Sequence, residues 1–181
     1  MGVGLSAACG FRVFVPLLVM NLASLTGHLH LSPGFEWIGS HYCTIAFGTA
    51  TLVEVLAYYI PWLDHILDLF ASPAAIIAGI VASASMVTEL SPFLKWALAL
   101  IAGGGVAAMV QGVTVLLRTK SSALTAGTGN GVISSLELVG SILTALLAVI
   151  VPLICVALIA VLCTFVIWKA GRFFVGRIRI G

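Results

Sequence analysis

The sequence predicts an all-α integral membrane protein of about six transmembrane helices, with broken or re-entrant segments and a candidate 3+3 inverted-topology repeat. Three observations carry this reading. Of 181 residues, 61% are hydrophobic and only 8% charged, with a mean hydropathy of +1.23, whereas a soluble domain carries about 25% charged residues. Apolar stretches recur at lengths that suit a bilayer core, which takes roughly 20 residues per helix. Serine, proline and glycine punctuate those stretches. Residues 1–181 therefore read as one transmembrane domain ending in a short basic tail, 176–181, with no room for a soluble domain.

Residues 4–25 read as the first span. No basic region precedes them and Arg12 lies among them, so they form an uncleaved span rather than a signal peptide. A loop with His28, His30, Pro33, Gly34 and Trp37 leads to span two, residues 41–60. In residues 61–70, Trp62, Ile66 and Leu69 recur at helical spacing opposite Asp64, His65 and Asp68, as in a short amphipathic helix at the interface. Ser72-Pro73 and Ser91-Pro92 each place an N-cap serine before a proline suited to the first helical position. They open span three, 73–90, and span four, 92–117.

Small residues recur every four positions in both spans, Ala75, Gly79 and Ser83 in one and Gly104, Ala108 and Gly112 in the other, a helix-packing seam. After Arg118 and Lys120 comes an irregular stretch, residues 121–131. The apolar run 132–168 would make one helix of about 55 Å, too long for a core of about 30 Å. Pro152 divides it into spans five and six, as a reversal or as a kink. With both termini cytoplasmic, Arg118, Lys120, Lys169, Arg172, Arg177 and Arg179 share one side and Lys95 lies opposite, which satisfies the positive-inside rule. The expected location is the plasma (inner) membrane.

The candidate repeat halves are 1–90 and 91–175. Glu54 precedes Pro73 by nineteen residues and Glu137 precedes Pro152 by fifteen, with Arg12 and Arg118 in the first span of each half. Such opposed units are common in transporters.

An ionised carboxylate in lipid costs at least about 2.5–3.5 kcal/mol on insertion scales, so it faces a partner or a watery cavity. Glu54 is the only charge in residues 45–60 and Glu137 the only one in 132–168. Both are expected as titrating or cation-binding groups, the alternative for Glu54 being a structural bond to Arg12, Tyr58 or Tyr59. Arg12 lies four residues before Pro16, which frees its carbonyl, and is expected as an anion partner or as a snorkelling cation. Ser134-Ser135-Leu136-Glu137 fits a capping box with Ser134 as N-cap, placing a helix start at depth. Asn130 joins the expected binding site. Gly127, Gly129 and Gly131, with Asp64, His65 and Asp68, are expected as interface or gating elements.

Other function classes find little support. The glycine-rich stretch lacks the lysine of a phosphate-binding loop. A net charge of +2 does not suggest nucleic acid. Neither His28, His30 and His41 nor Asp64, His65 and Asp68 supply a fourth ligand, so no metal or other cofactor is expected. Cys9, Cys43, Cys155 and Cys163 lack CxxC spacing and read as small core residues. No nucleophile, base and orienter set points to an enzyme.

Gly10-Phe11-Arg12 through Pro16-Leu17-Leu18, Glu54 with Ile60-Pro61-Trp62-Leu63-Asp64 and Pro73, and Gly127 through Glu137 ahead of Pro152 span nearly the whole chain. Together they resemble the multi-pass membrane family called domain of unknown function 4126. The resemblance implies a membrane protein and supports the choice of residues without naming a substrate. The expected function is passage of a small solute, ion or lipid headgroup, with proton coupling as an option and a homodimer as a candidate assembly. A non-transporting scaffold and a small ion channel are the alternatives.

Overall fold

A computed structural model describes residues 1–125 and 129–178; for residues 61–62, 64, 65, 68, 170 and 173–178 it describes the backbone alone. Gly127 and residues 179–181 of the basic tail thus lie outside the described residues, as do the side chains of Asp64, His65 and Asp68. The described residues form helices and connecting turns without strands. Three helical stretches, Pro92–Thr125, Asn130–Ile150 and Pro152–Lys169, are long and apolar enough to cross a membrane, and four shorter apolar helices accompany them.

The central element is α1 (Gly2–Phe11), whose residues 4–10 are all buried. Small side chains make this possible. Gly4 lies against Ala148 and Cys155, and Gly10 against Val110 and the Ala107 carbonyl. The helix stops at Arg12, which is extended (φ −146°, ψ 135°), and α2 begins at Phe14 and runs to Leu25. Pro16 therefore stands in the first turn of a new helix, where its missing N–H costs nothing.

The two helices form a hairpin in place of the single continuous helix expected for residues 4–25. Gly2 abuts Ser83, and Ser32, just past α2, donates its amide to the Ser85 carbonyl at 2.8 Å. Lys95 reaches Ser32 Oγ at 2.7 Å, and Phe35 meets Trp96 with ring centroids 6.1 Å apart. The chain thus leaves the Ser85 end of the bundle, breaks at Arg12–Val13, and returns. Asn21 Nδ2 donates to the Ser40 carbonyl at 2.9 Å, tying α2 to the start of α3 (His41–Ala57), which Ser40 caps by accepting the Cys43 amide.

α4 runs unbroken from Pro61 to Ala84, with Pro73 inside it. The expected helix start at Ser72-Pro73 is overridden by packing. Ala71, Ala75, Ala78 and Ala82 form one buried stripe across the proline, at the cost of the bond from residue 73 to the Leu69 carbonyl. Because Pro73 does not open a helix and Pro152 does, the matched prolines of the candidate repeat are not equivalent. The Ser91-Pro92 start is realised: α5 (Pro92–Leu98) passes through a π-helical segment (Ala99–Gly104) into α6 (Gly105–Thr125).

The small-residue seam is shifted by one position on this helix. Gly79 and Ser83 face Gly103, Ala107 and Ser6, while Gly112 meets nothing. Spacing alone fits 103–107 as well as 104–108; the buried Gln111, Thr114 and Arg118 mark the inward face. Gly104 does pack against Ile80, and Ala108 is half-buried.

α7 (Asn130–Ile150) and α8 (Pro152–Ile178) are joined at Val151, which leaves helical geometry (φ −136°, ψ 71°). The chain reverses there. Cys155 Sγ lies 3.7 Å from the Thr144 carbonyl, and Thr144 and Leu162 line one small cavity, whereas an unbroken helix would hold them about 27 Å apart.

A valine at Gly79 would place its Cβ 2.6 Å from the Ala107 Cβ and 3.0 Å from the Gly103 carbonyl. Gly79→Val is expected to destabilise by about 1–3 kcal/mol, read as a lower thermal unfolding midpoint in detergent. Gly112→Val, in open space, should stay within about 0.5 kcal/mol. Equal midpoints would count against the seam.

Candidate functional site

The break between α1 and α2 frees the amides of Val13 and Phe14, and the Glu54 carboxylate takes both. Val13 N donates to Oε1 at 2.9 Å and Phe14 N to Oε2 at 3.2 Å. Glu54 lies one turn before the end of α3 and is buried. A negative group at a helix N-terminus also gains from the helix dipole. Glu54 thus caps α2 from another helix, a role that neither the expected titrating group nor its Arg12 and tyrosine alternatives included.

Arg12 reaches across to α7. It is 1% exposed. Its Nη2 donates to the Ser134 carbonyl at 2.9 Å and to Ser134 Oγ, and lies 3.9 Å from Glu137 Oε2. Nε and Nη1 are buried without a hydrogen-bond partner.

Glu137 is engaged by a residue expected among the cytoplasmic basic groups at the end of its span. Arg118 lies on the inward face of α6, buried, and donates from Nε to Glu137 Oε1 at 2.9 Å and from Nη2 to Oε2. This is the bidentate fork that arginine makes best. Tyr58, just past α3, completes the cluster: the Arg12 and Arg118 guanidinium carbons lie 4.1 Å and 3.9 Å from its ring centroid. The ring attracts both cations through its quadrupole.

The capping box at Ser134 is not formed. α7 begins at Asn130, with Gly129 in the N-cap position, so Ser134 and Glu137 stand inside the helix. Their three-residue spacing serves instead to present both to Arg12. Asn130, Ser134, Glu137 and Ser141 form one buried polar stripe on α7. Asn130 Nδ2 donates to Ser122 Oγ at 2.8 Å, and Ser141 Oγ donates to the Ala8 carbonyl at 3.0 Å. Gly131 lies against the Tyr59 ring, whose hydroxyl meets Ser135 Oγ at 2.9 Å. Arg12, Glu54 and Glu137 therefore do converge, Asn130 stands two turns from Glu137 on the same face, and Gly129 and Gly131 flank the start of that helix.

The sequence matches the family described as Domain of unknown function (DUF4126) over residues 1–172. The chain belongs to that family. No curated protein and no solved structure matches it. In this DUF4126 protein, the sequence reading missed Arg118 and Tyr58 as site residues. One signal for Arg118 was present: Gln111, Thr114 and Arg118 follow helical spacing in an otherwise apolar stretch, and in a membrane helix such a polar stripe faces inward. Nothing in the sequence marked Tyr58 over Tyr59.

Glu54→Ala is expected to raise hydrogen exchange at the Val13 and Phe14 amides by about ten-fold or more, since each loses an acceptor worth about 1.5–3 kcal/mol. Glu54→Gln, keeping one carbonyl oxygen, should fall between. Unchanged exchange in the alanine variant would refute the cap.

Proposed function

We propose that this protein is a membrane carrier that passes a small solute, an ion or a lipid headgroup through the polar cluster at the hairpin tip. One observation supports this above the rest. Arg12 holds two buried guanidinium nitrogens without hydrogen-bond partners, at a helix break inside the bundle. Buried charged donors are rarely left so, and each exception calls for an explanation such as an absent ion or ligand. An acceptor group on the passing solute supplies it: an anion, or a carbonyl or hydroxyl oxygen. Broken helices that line a polar site at membrane depth are also a transporter feature.

In this reading the Arg118–Glu137 fork is the element that changes partners. A solute oxygen arriving at Arg12 competes with Glu137 for the guanidinium pair, and the fork reforms after release. α3, α4, the 92–125 helix, α7 and α8 are the five crossings of the plasma (inner) membrane, and the hairpin dips in from the Ser85 end. The termini then lie on opposite sides, in place of both being cytoplasmic. Lys120, Lys169 and Arg172 mark the cytoplasmic end. Arg118 leaves that tally because it is buried.

A scaffold is the second reading, favoured by one observation: each oxygen of Glu54 and Glu137 already accepts a hydrogen bond from the chain. A double variant separates the two. Removing one member of a buried ion pair costs about 3–5 kcal/mol, whereas replacing both by apolar residues is often neutral. Arg118→Met/Glu137→Leu should keep its unfolding midpoint. The carrier reading expects it to lose about ten-fold or more of the flux of labelled phosphate, chloride or acetate that the unaltered chain supports in proteoliposomes, a loss of about 1.4 kcal/mol. Arg12→Gln should lose flux similarly. Absence of flux in the unaltered chain would favour the scaffold, and full flux in the double variant would refute the role of the fork in passage.

A further inference from the structure

Between α3 and α4 the bundle leaves a groove of about 690 Å³. It lies in the size range of small-molecule sites, about 300–1,000 Å³. Ile45, Thr49 and Glu54 line it along α3, and Phe70 and Ala74 along α4, with Tyr58 at the inner end. Its lining is almost wholly apolar, and it is open sideways, since Ile45 and Phe70 are 71% and 67% exposed. In a membrane that opening faces lipid.

Two features decide what fits. The first is the acceptor at the inner end. A carboxylate offers about four acceptor positions. Backbone amides occupy one on each oxygen of Glu54, so acceptor capacity remains. The second is charge. Arg12, Arg118, Glu54 and Glu137 form a buried set that sums to zero, two cations against two anions. Glu54 lines the groove and Arg12 does not, so a carboxylate head there would face a like charge without the open Arg12 donors, and an ammonium would add a charge to a balanced set. A neutral hydroxyl donates without adding charge, and it reaches the interior of a bilayer at a far lower cost than a charged head.

We propose that this groove binds a neutral lipid bearing a hydroxyl, with the hydroxyl donating to Glu54 and the apolar chain lying along α3. Nine residues separate Ile45 from Glu54, about 13 Å of helix. That is close to half of a core about 30 Å thick, so the chain runs from mid-depth toward the Ser85 end. This inference is independent of carrier activity, because the groove would bind such a lipid in a scaffold as well.

The test uses the full chain in nanodiscs and a long-chain alcohol carrying a diazirine. Photolabelling is expected in the peptides of α3 and α4. Hexadecanol should compete about ten-fold better than its methyl ether, hexadecylamine or palmitic acid, the worth of one hydrogen bond to a charged acceptor. Equal competition by the ether would mean that any alkyl chain fills the groove, and stronger competition by the amine or the acid would mean a charged ligand. Either result, or labelling away from α3 and α4, overturns the proposal. Ala74→Trp, which fills the groove, should abolish labelling; persistent labelling in the folded variant would also overturn it. The competitor series runs on the unaltered chain and so decides the matter even if that variant does not fold.

Discussion

The bond from two backbone amides to one carboxylate makes the interior of this molecule feasible. In a bilayer, every main-chain donor must find a partner within the protein, because no water is at hand to serve. The chain interrupts its central helix at Arg12–Val13, and Glu54 supplies what the interruption removes. The rest follows from that repair. With α2 capped, the hairpin can turn at depth, Arg12 is placed at its tip, and the side chain is directed at Ser134 and Glu137. Without the cap, α1 would have to continue through Arg12, and the arginine would have no fixed direction.

The charged cluster also shows how a membrane protein keeps four ionisable groups inside without a net charge. Arg118 and Glu137 neutralise each other directly, and Glu54 answers the positive end of α2. Arg12 is the member least satisfied by neighbours: it rests on the Tyr58 ring and the Ser134 carbonyl, with Nε and Nη1 lacking hydrogen-bond partners. Aromatic faces and carbonyl dipoles hold a cation in place without consuming a carboxylate, which leaves donor capacity in reserve.

Much of this was legible from composition and from the cost of charge in lipid. That cost singled out Glu54, Glu137 and Arg12, and the structure brings all three together. What it does not specify is direction, since a buried carboxylate needs a partner but the sequence does not say which. Arg118 counts, from sequence, among the basic residues at the cytoplasmic end of its span, because Lys120 follows closely and the apolar run ends at residue 117; in the structure α6 continues to Thr125 and Arg118 faces inward. Ser72-Pro73 misled because a local start signal is weaker than a continuous alanine stripe packing against α1. The capping box at Ser134 misled because its serine and glutamate were both claimed by distant arginines. The hairpin was hidden for a simpler reason: residues 4–25 are long enough to cross the membrane, and only tertiary bonds show that they turn back.

The buried position of α1 has a consequence for how the protein is made. The helix that ends up at the centre is made before the helices it packs against. Glu54 follows Val13 by 41 residues, and Ser134 follows Arg12 by 122. Until α3 is synthesised the tip amides have no cap, and until α7 is synthesised Arg12 lacks its Ser134 and Glu137 partners. Arg118 and Glu137, only 19 residues apart, can pair as soon as α7 appears. The partners of α1 thus all follow it in the chain, so its enclosure depends on helices made later.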